Sequence, residues 1–206
     1  MGFAIMKKLL AFVLTIILIG GLTGCSNESV SLKDEIAPKE LTDDQKEIFD
    51  LLSVGNEILL YDFKTQEEYR SVEFWVEIYE YGVLISRPAG LHQLSDDLKT
   101  LDGRLAVLIA QKPGFQWTFS MDGASQINSE PYIPADDIDT LARGYVPIGG
   151  PIAIQDGNEI VLYTSIFSYP DGSAVALYSD LQRYVGHPEL IKDYPYVHFI
   201  KCKFSK

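Results

Sequence analysis

The chain has 206 residues, 47% of them hydrophobic, with 17 basic and 29 acidic residues and a formal net charge of −12. This length suits one domain with a substantial core, since domains usually run to about 100 to 200 residues. The acidic balance argues against nucleic-acid binding, because that function needs clustered Lys and Arg to displace counterions from phosphates.

The first 24 residues have the pattern of a secretory signal. Lys7 and Lys8 precede a run of residues 9–19 that is apolar except for Thr15 and is followed by a stretch rich in small residues up to Cys25. The apolar stretch extends at most over residues 9–22, whereas a helix that spans a bilayer needs roughly 20 residues. We therefore expect a cleaved signal peptide over residues 1–24 and not a permanent transmembrane anchor. Met6 would itself be a typical start for such a signal, so Met1 and Met6 are both possible start positions.

Residues 22–25, Leu-Thr-Gly-Cys, resemble the lipobox of bacterial lipoproteins. The resemblance implies that cleavage makes Cys25 the new N-terminus and that fatty acyl groups such as palmitate are attached to it. It also implies that the protein is lipid-anchored on the extracytoplasmic face of the cell membrane. The alternative is an ordinary signal peptide with an incidental cysteine.

Removal of the signal makes the chain more acidic. The signal contains 2 of the 17 basic residues and none of the 29 acidic ones, so the remainder has 15 − 29 = −14 charges. This charge argues against direct binding to anionic lipid, so we expect the acyl group on Cys25 to hold the protein at the membrane. With Cys25 acylated, Cys202 is the only remaining thiol. No intramolecular disulfide can then form, and the core must stabilise the domain.

The segment that follows the signal is polar and lacks aromatic residues up to Lys39. We predict a flexible tether over residues 25–41 and a folded domain over residues 42–206. Thr42 and Gln45 form a capping-box pattern before apolar residues at helical spacing, which predicts a helix over residues 43–53. This helix is expected to pack on the domain or to link the tether to a sheet.

From residue 57 onward the apolar period changes to two. In residues 72–79 the even positions are Val, Phe, Val and Ile, and the odd positions are Glu, Trp, Glu and Tyr. This alternation is typical of a half-buried strand. Residues 105–110 and 115–121 flank a Lys-Pro-Gly break and predict a hairpin. A second hairpin is predicted from residues 159–169 and 173–178, around a Pro-Asp-Gly turn.

Further strands are expected at residues 58–63, 82–85, 151–155 and 196–204, and single helical turns at residues 95–101, 136–141 and 179–185. About eight or nine strands separated by turn residues are typical of an antiparallel sandwich or barrel. We therefore predict a mainly all-β fold, an antiparallel β-sandwich with a short N-terminal helix and minor helical turns.

Several segments also resemble small lipoproteins of low-GC Gram-positive bacteria. They are Tyr-Asp-Phe-Lys at 61–64, the alternating strand 72–81, Asp-Gly-Arg-Leu-Ala-Val at 102–107, Pro-Ile-Ala-Ile-Gln at 151–155 and the closing aromatic segment up to Ser205. The resemblance covers most of the chain after the signal. It implies the fold and the cellular address, and it contains no catalytic signature.

Metal-ion or nucleophile chemistry would need convergent His or Cys side chains. The chain after the signal offers His92, His187, His198 and Cys202, and none lies in a metal-binding or nucleophile motif. His198 and Cys202 share one face of the last predicted strand, but at about 3.3 Å per residue they lie roughly 13 Å apart. We interpret Cys202 as a buried apolar residue, His198 as a core or sheet-edge residue and His187 as a loop residue.

Two carboxylate clusters could supply oxygen ligands for calcium. They are Asp96 and Asp97 with Asp102, and Asp136 and Asp137 with Asp139. Neither follows the spacing of a calcium-binding loop, and solvated acids at helix starts explain both. No metal site and no cofactor is predicted.

Aromatic residues are the strongest candidates for a ligand site. Trp75, Tyr79 and Tyr81 lie on the less apolar face of their strand, interleaved with Glu73 and Glu77. Aromatic rings match the apolar face of a pyranose, and neighbouring carboxylates accept hydrogen bonds from its hydroxyl groups. The alternative is that a helix or a second sheet covers this face, in which case Trp75 and Tyr79 are ordinary core residues.

The predicted function is that of a membrane-anchored, extracytoplasmic lipoprotein whose β-sandwich binds a ligand or partner without catalysis. The runner-up is carbohydrate or cell-wall glycan binding through Trp75, Tyr79 and Tyr81, and a surface protein is another expected partner. A third alternative is an extracytoplasmic hydrolase. An exposed Trp75 would favour a glycan, and a buried Trp75 would favour protein interaction.

Overall fold

A computed structural model describes residues 33–52, 56–88, 90–110, 115–121, 124–127, 140–170 and 178–206. They form one compact unit that begins near residue 32. Its elements, in chain order, are β1 (Glu35–Pro38), α1 (Asp43–Leu52), β2 (Asn56–Lys64), β3 (Tyr69–Glu80), β4 (Val83–Ser86), β5 (Gly90–Lys99), β6 (Asp102–Ala110), β7 (Gln116–Met121), β8 (Ala124–Ile127), β9 (Ala142–Pro147), β10 (Ile152–Ala153), β11 (Glu159–Ser168) and β12 (Tyr196–Ser205). Two short 3-10 helices, Leu181–Tyr184 and Pro188–Leu190, precede β12.

The strands form two antiparallel sheets. The first sheet has the order β10-β1-β2-β6-β7-β8, and the second has the order β4-β3-β12-β11-β9, with β5 also paired to β3. The predicted all-β sandwich is therefore confirmed, although the described residues contain twelve strands and not eight or nine. The hairpin predicted from residues 105–121 is also confirmed, since Leu105 pairs with Met121 and Ala110 with Gln116.

The predicted tether extends too far into the domain. Residues 35–38 form β1, which pairs with β2 on one side and with β10 on the other. Asp34 then accepts hydrogen bonds from the backbone N–H groups of Gln66 and Glu67, at 2.5 and 3.1 Å. The folded domain therefore begins at or before Asp34, several residues earlier than the expected boundary at residue 42.

Helix α1 has the predicted capping box. The Thr42 N–H donates to Gln45 Oε1 at 3.1 Å, and the Gln45 N–H donates to Thr42 Oγ1 at 3.3 Å. The helix connects β1 to β2, which are neighbouring strands of the first sheet. Two of its apolar residues face solvent, since Ile48 and Leu51 are 55% and 72% exposed, whereas Phe49 is half-buried.

Strand β3 has the predicted alternation on its core face. Val72, Phe74, Val76 and Ile78 are fully buried between the sheets. Each pairs directly with a buried residue of β12, so the two strands contribute one continuous apolar surface. Phe204 packs edge-on against aromatic rings of the facing sheet and of β3, with Phe63 at 5.6 Å and Phe74 at 6.4 Å between ring centroids.

A bulge in β11 ties the two sheets together. The register with β12 shifts between Val161 and Tyr163, which leaves the Leu162 carbonyl outside the regular ladder. This oxygen accepts the hydroxyl of Tyr61 from β2 at 3.0 Å and the N–H of Ile148 at 2.9 Å. A buried polar group left by the bulge is therefore satisfied from both sheets.

The prediction of a helical turn over residues 95–101 is wrong. Residues 95–98 instead bulge out of β5, because Leu94 pairs with Ser71 and Lys99 pairs with Tyr69. The turn predicted over residues 179–185 is confirmed by the first 3-10 helix.

Other predictions fall beyond the described residues. The turn predicted over 136–141 lies largely outside them, as does the strand predicted over 173–178. Both edges of β11 are paired, one with β12 and the other with β9, so β11 has no edge left for the hairpin predicted from residues 159–169 and 173–178, and that prediction is wrong. No helix in the described ranges is long and apolar enough to cross a membrane.

Candidate functional site

The outer face of β3 carries the three aromatic residues expected to bind a ligand. The structure does not bring them together on one open surface. Trp75 is buried, at 5% exposure, and Tyr79 is half-buried, whereas Tyr81 is 50% exposed at the turn after the strand. The expectation of an exposed Trp75 platform is therefore wrong, and the alternative, a covered face, describes this part of the strand.

Trp75 is buried because it belongs to a polar cluster. Its Nε1–H donates to Glu77 Oε1 at 3.1 Å. The guanidinium of Arg87 lies 5.9 Å from the Trp75 ring centroid and also contacts Glu77, at 2.5 Å. Trp75 therefore has a structural role, in which it orients and covers the Glu77 carboxylate.

Glu77 is the centre of an ion-pair cluster with a buried interior, formed by Glu77 and Lys201, which are buried, and by Arg87 and Glu159, which are partly exposed. Lys201 Nζ lies 2.6 Å from Glu77 Oε2 and 3.0 Å from Glu159 Oε2. The side chains of Glu77 and Lys201 are almost fully buried. With two acidic and two basic members, the cluster has no net charge when all four are ionised, which allows β3 and β12 to bury charged residues on this face.

Hydrogen bonds keep the Glu77 carboxylate ionised. Burial alone would raise the pKa of Glu77, but the hydrogen bond and charge of Lys201, with the hydrogen bonds from Trp75 and Tyr79, lower it below its usual value. The Tyr79 hydroxyl donates to Glu77 Oε2 at 2.9 Å. Burial and this same bond raise the pKa of Tyr79, so its hydroxyl stays protonated.

The other side of Tyr79 lines a pocket, which we call the outer pocket. Its volume is about 200 Å³, and it is lined by Tyr79, Gly82, Leu84, Tyr184, Gly186, His187, Pro188, Ile191 and Phe199. Phe199 forms the floor, since it is buried in β12. Tyr79 packs on it at 5.6 Å between ring centroids with an interplanar angle of 78°, and Tyr184 at 5.4 Å with an angle of 45°.

The β3–β4 turn forms one wall of the outer pocket. Tyr81 and Gly82 both have positive φ, 47° and 79°. The Tyr81 N–H donates to the Tyr194 carbonyl at 3.1 Å. Gly82 is needed for space as well as for its φ, because a Cβ there would lie 2.9 Å from the Pro188 carbonyl oxygen.

The 3-10 segment before β12 forms the opposite wall. Asp180 caps the first 3-10 helix by accepting the Gln182 N–H at 3.1 Å. The Gln182 side chain bonds both backbone groups of Val161, donating to its carbonyl at 2.8 Å and accepting its N–H at 3.1 Å. These bonds fix Tyr184 against β11 and β12, so the pocket is formed without a ligand.

The mouth of the outer pocket has one polar pair. His187 Nδ1 lies 2.8 Å from Glu189 Oε1, and both side chains are exposed. The remaining lining side chains are aromatic or aliphatic, apart from the two tyrosine hydroxyls. The Tyr184 hydroxyl accepts the N–H of Tyr178 at 3.3 Å. The pocket can therefore enclose an apolar or cationic group and present a few polar atoms to its outer part.

The remaining predicted candidates lie elsewhere. Cys202 is fully buried, and burial raises the pKa of its thiol. His198 is also buried, among Phe115, Trp117 and Phe167, with ring centroids 4.9 to 5.3 Å away. Both residues face the core between the sheets, which agrees with their interpretation as core residues. His187 lies in a loop as expected, at the mouth of the outer pocket.

The carboxylates considered for calcium do not converge in the described residues. Asp96, Asp97 and Asp102 are exposed on β5 and β6, while Asp136, Asp137 and Asp139 lie outside the described ranges. Within those ranges no three or more His, Cys, Asp or Glu side chains are grouped so as to hold a metal ion.

Two pocket residues were not singled out from the sequence. Phe199 lies on the face of β12 opposite to the core face and pairs with Glu77. Tyr184 lies in the helical turn predicted over residues 179–185. The sequence of β12 has apolar residues on both faces of the strand. This pattern indicates that a further layer covers the outer face, and it was the signal from which Phe199 could have been found.

A family comparison matches almost the whole folded unit. The family described as the YgaN domain matches residues 35–204, from the first residue of β1 to the penultimate residue of β12. No curated protein and no solved structure matches the chain.

Proposed function

The chain belongs to the YgaN domain family, and for this member we propose a function as a lipid-anchored, extracytoplasmic binding protein. Its domain binds a small ligand in the outer pocket without catalysis. The anchor is a lipid on Cys25, as implied by the signal and the lipobox. The ligand is held by Tyr79, Tyr184 and Phe199.

The observation that carries this proposal is the construction of the outer pocket. Two walls from distant parts of the chain are fixed in place, since the Tyr81–Tyr194 hydrogen bond joins them and Gln182 bonds the second wall to β11. Between these walls, three aromatic rings line a pocket of about 200 Å³. A rigid, mostly apolar pocket with a few polar groups at its mouth is typical of small-molecule sites.

A glycan is the second candidate ligand. It would place a sugar ring against Tyr79 and its hydroxyl groups near His187 and Glu189 at the mouth. The runner-up function predicted from the sequence therefore moves from Trp75, which is buried, to the pocket on the far side of Tyr79.

Ligand binding is tested by thermal unfolding in the presence of cell-wall glycans, simple sugars and small organic cations. A ligand at about 100 times its dissociation constant stabilises the folded protein by roughly 2.7 kcal/mol. We expect a rise in Tm that is lost in Tyr79→Leu and kept in Tyr145→Leu, an exposed tyrosine on β9 outside the outer pocket. A rise that survives Tyr79→Leu would place the ligand elsewhere, and no rise with any ligand would argue against the pocket.

The lipid anchor has a separate test. In Cys25→Ala the thiol that would be acylated is absent, so we expect the protein to leave the membrane fraction and to lose labelling by radioactive palmitate. Cys202→Ala is the matched control, because Cys202 is buried in the core. Unchanged partitioning of Cys25→Ala would overturn the proposed anchor.

A further inference from the structure

The rings of the outer pocket meet at steep angles. Tyr79 is nearly perpendicular to Phe199, and Tyr184 is tilted by 45° to Phe199. A flat ligand stacks on one ring, whereas walls at such angles surround a compact, rounded group on several sides. The rounded organic groups that aromatic cages recognise are quaternary ammonium heads, which the electron-rich ring faces attract.

The charges around the outer pocket also suit a cation. Among the described residues that line it there is neither Lys nor Arg, and Nδ1 of His187 faces the carboxylate of Glu189 at 2.8 Å. Lys201 lies 5.9 Å from the Phe199 ring centroid, but it is paired with Glu77 and Glu159. The chain as a whole is acidic, with 29 acidic residues against 17 basic ones, and this field favours the approach of cations.

Tyr79 is the lining residue whose ring is best suited to bind a cation. Its hydroxyl donates to the Glu77 carboxylate at 2.9 Å. A hydrogen bond from a phenol to an anion increases the electron density of the ring, and a cation over the ring face is then attracted more strongly.

We infer that the outer pocket binds a small quaternary ammonium compound, with the ammonium head enclosed by Tyr79, Tyr184 and Phe199. This inference rests on the proposed function, because it names the ligand class of the same pocket. The size agrees, since a cavity of about 150 Å³ takes a benzene molecule and the outer pocket has about 200 Å³. A hydroxyl or carboxylate on the ligand would lie toward His187 at the mouth.

The test compares choline with its uncharged isostere, 3,3-dimethylbutan-1-ol, by titration calorimetry on the full chain in a mild non-ionic detergent. The two compounds have the same shape and differ in the charge of the head. A cation–π contribution of up to about 2 kcal/mol corresponds to a factor of roughly 30 in affinity. We expect choline to bind at least tenfold more tightly than the isostere. Glucose and N-acetylglucosamine are titrated alongside.

Variants then locate the site. Tyr79→Leu removes one ring and should weaken choline binding at least tenfold, whereas Tyr79→Phe retains the ring and should weaken it less. Tyr145→Leu is the matched control, because Tyr145 is an exposed tyrosine on β9 and lies outside the pocket lining. The isostere comparison uses the unchanged protein and so does not depend on the folding of any variant.

The outcomes separate this inference from the proposed function. Equal affinity for choline and the isostere, or Tyr79-dependent binding of a sugar but not of choline, would overturn the ammonium inference and leave the pocket as the binding site. No binding of any of these compounds would overturn both. Preferential choline binding that is lost in Tyr79→Leu and kept in Tyr145→Leu would support both.

Discussion

A Cβ atom on Gly82 would lie 2.9 Å from the carbonyl oxygen of Pro188, and Gly82 has a φ of +79°. The β3–β4 turn and the second 3-10 helix therefore touch through backbone atoms. We predict that Gly82→Ala lowers the free energy of unfolding by at least about 2 kcal/mol. Alanine is strained at positive φ, and its Cβ would overlap the Pro188 carbonyl oxygen. Urea denaturation measures this change.

Gly157→Ala is the matched control for this prediction. Gly157 also has positive φ, +72°, but a Cβ there meets no atom within 4 Å. Gly157→Ala should lower the free energy of unfolding by about 1 kcal/mol, the cost of placing a non-glycine residue at positive φ. Equal losses in Gly82→Ala and Gly157→Ala would show that the contact with Pro188 does not matter.

Lys201 should be strongly stabilising as long as Glu77 is charged. In Lys201→Met the carboxylate of Glu77 stays buried without its buried counter-ion, so we expect a loss of about 3 kcal/mol in urea denaturation. Glu77→Gln combined with Lys201→Met should be more stable than Lys201→Met alone, because the uncompensated charge is then removed.

An exposed ion pair provides the comparison for Lys201. Lys46 lies 3.3 Å from Asp43 on α1, with both side chains well exposed. Lys46→Met should change stability by less than about 0.5 kcal/mol. If Lys201→Met were as mild as Lys46→Met, the ion-pair cluster would contribute nothing to the fold.

His198 should make the protein sensitive to acid. Burial, and to a lesser degree the positive charge of Arg143, lowers the pKa of His198 to about 3, and its Nε2 has no partner in the described part of the chain. An unfolded histidine takes up a proton near pH 6.5. Between pH 6.5 and pH 3 the unfolded state therefore binds more protons than the folded state, so stability falls as the pH is lowered.

The measurement is urea denaturation of the wild type and of His198→Phe at pH 7 and pH 4. The variant keeps a ring among Phe115, Trp117 and Phe167 and has nothing to protonate. We expect its stability relative to wild type to rise by about 3 kcal/mol between pH 7 and pH 4. His92→Asn, at an exposed position of β5, should show no such change, and a parallel response of wild type and His198→Phe would contradict the prediction.

Tyr61 should stabilise the bulge of β11. In Tyr61→Phe the Leu162 carbonyl keeps the Ile148 N–H and loses the hydroxyl at 3.0 Å. A lost buried hydrogen bond costs about 1 kcal/mol. Tyr145→Phe, at an exposed ring on β9, should be neutral in the same urea titration. A neutral Tyr61→Phe would mean that water replaces the hydroxyl at the bulge.

Strands whose burial alternates could be predicted from the sequence, because period two records one buried and one exposed face. This was true of β7, and in β3 the alternation identified the core face, although Trp75 and Glu77 on the outer face are also buried. It failed for β5, where residues 95–98 bulge away from β3 and the residue pattern resembles a helical turn. It also failed for β1 and β9, which are short and have no clear alternation.

The candidate site could be predicted only in part. Tyr79 was found because it lies in an alternating strand, but its partners in the pocket, Tyr184 and Phe199, are more than a hundred residues later. Their proximity depends on the register between β3 and β12, which no local pattern specifies. The burial of Trp75 was one of two alternatives left by the sequence, whereas its polar partners could not be predicted, since Glu77 is buried beside it where Lys201 of β12 lies opposite.

The pairing of β3 with β12 also determines how the chain can fold. Strands β2, β6 and β7 pair with near neighbours in sequence, whereas Ser71 pairs with Ser205, 134 positions later. Closure of so long a loop is slow, so the pairing of β3 with β12 should form after the pairing of β2, β6 and β7 and limit the folding rate. Until β12 pairs with it, β3 lacks this neighbour, and in that interval its apolar face leaves the chain most exposed to aggregation and to proteases.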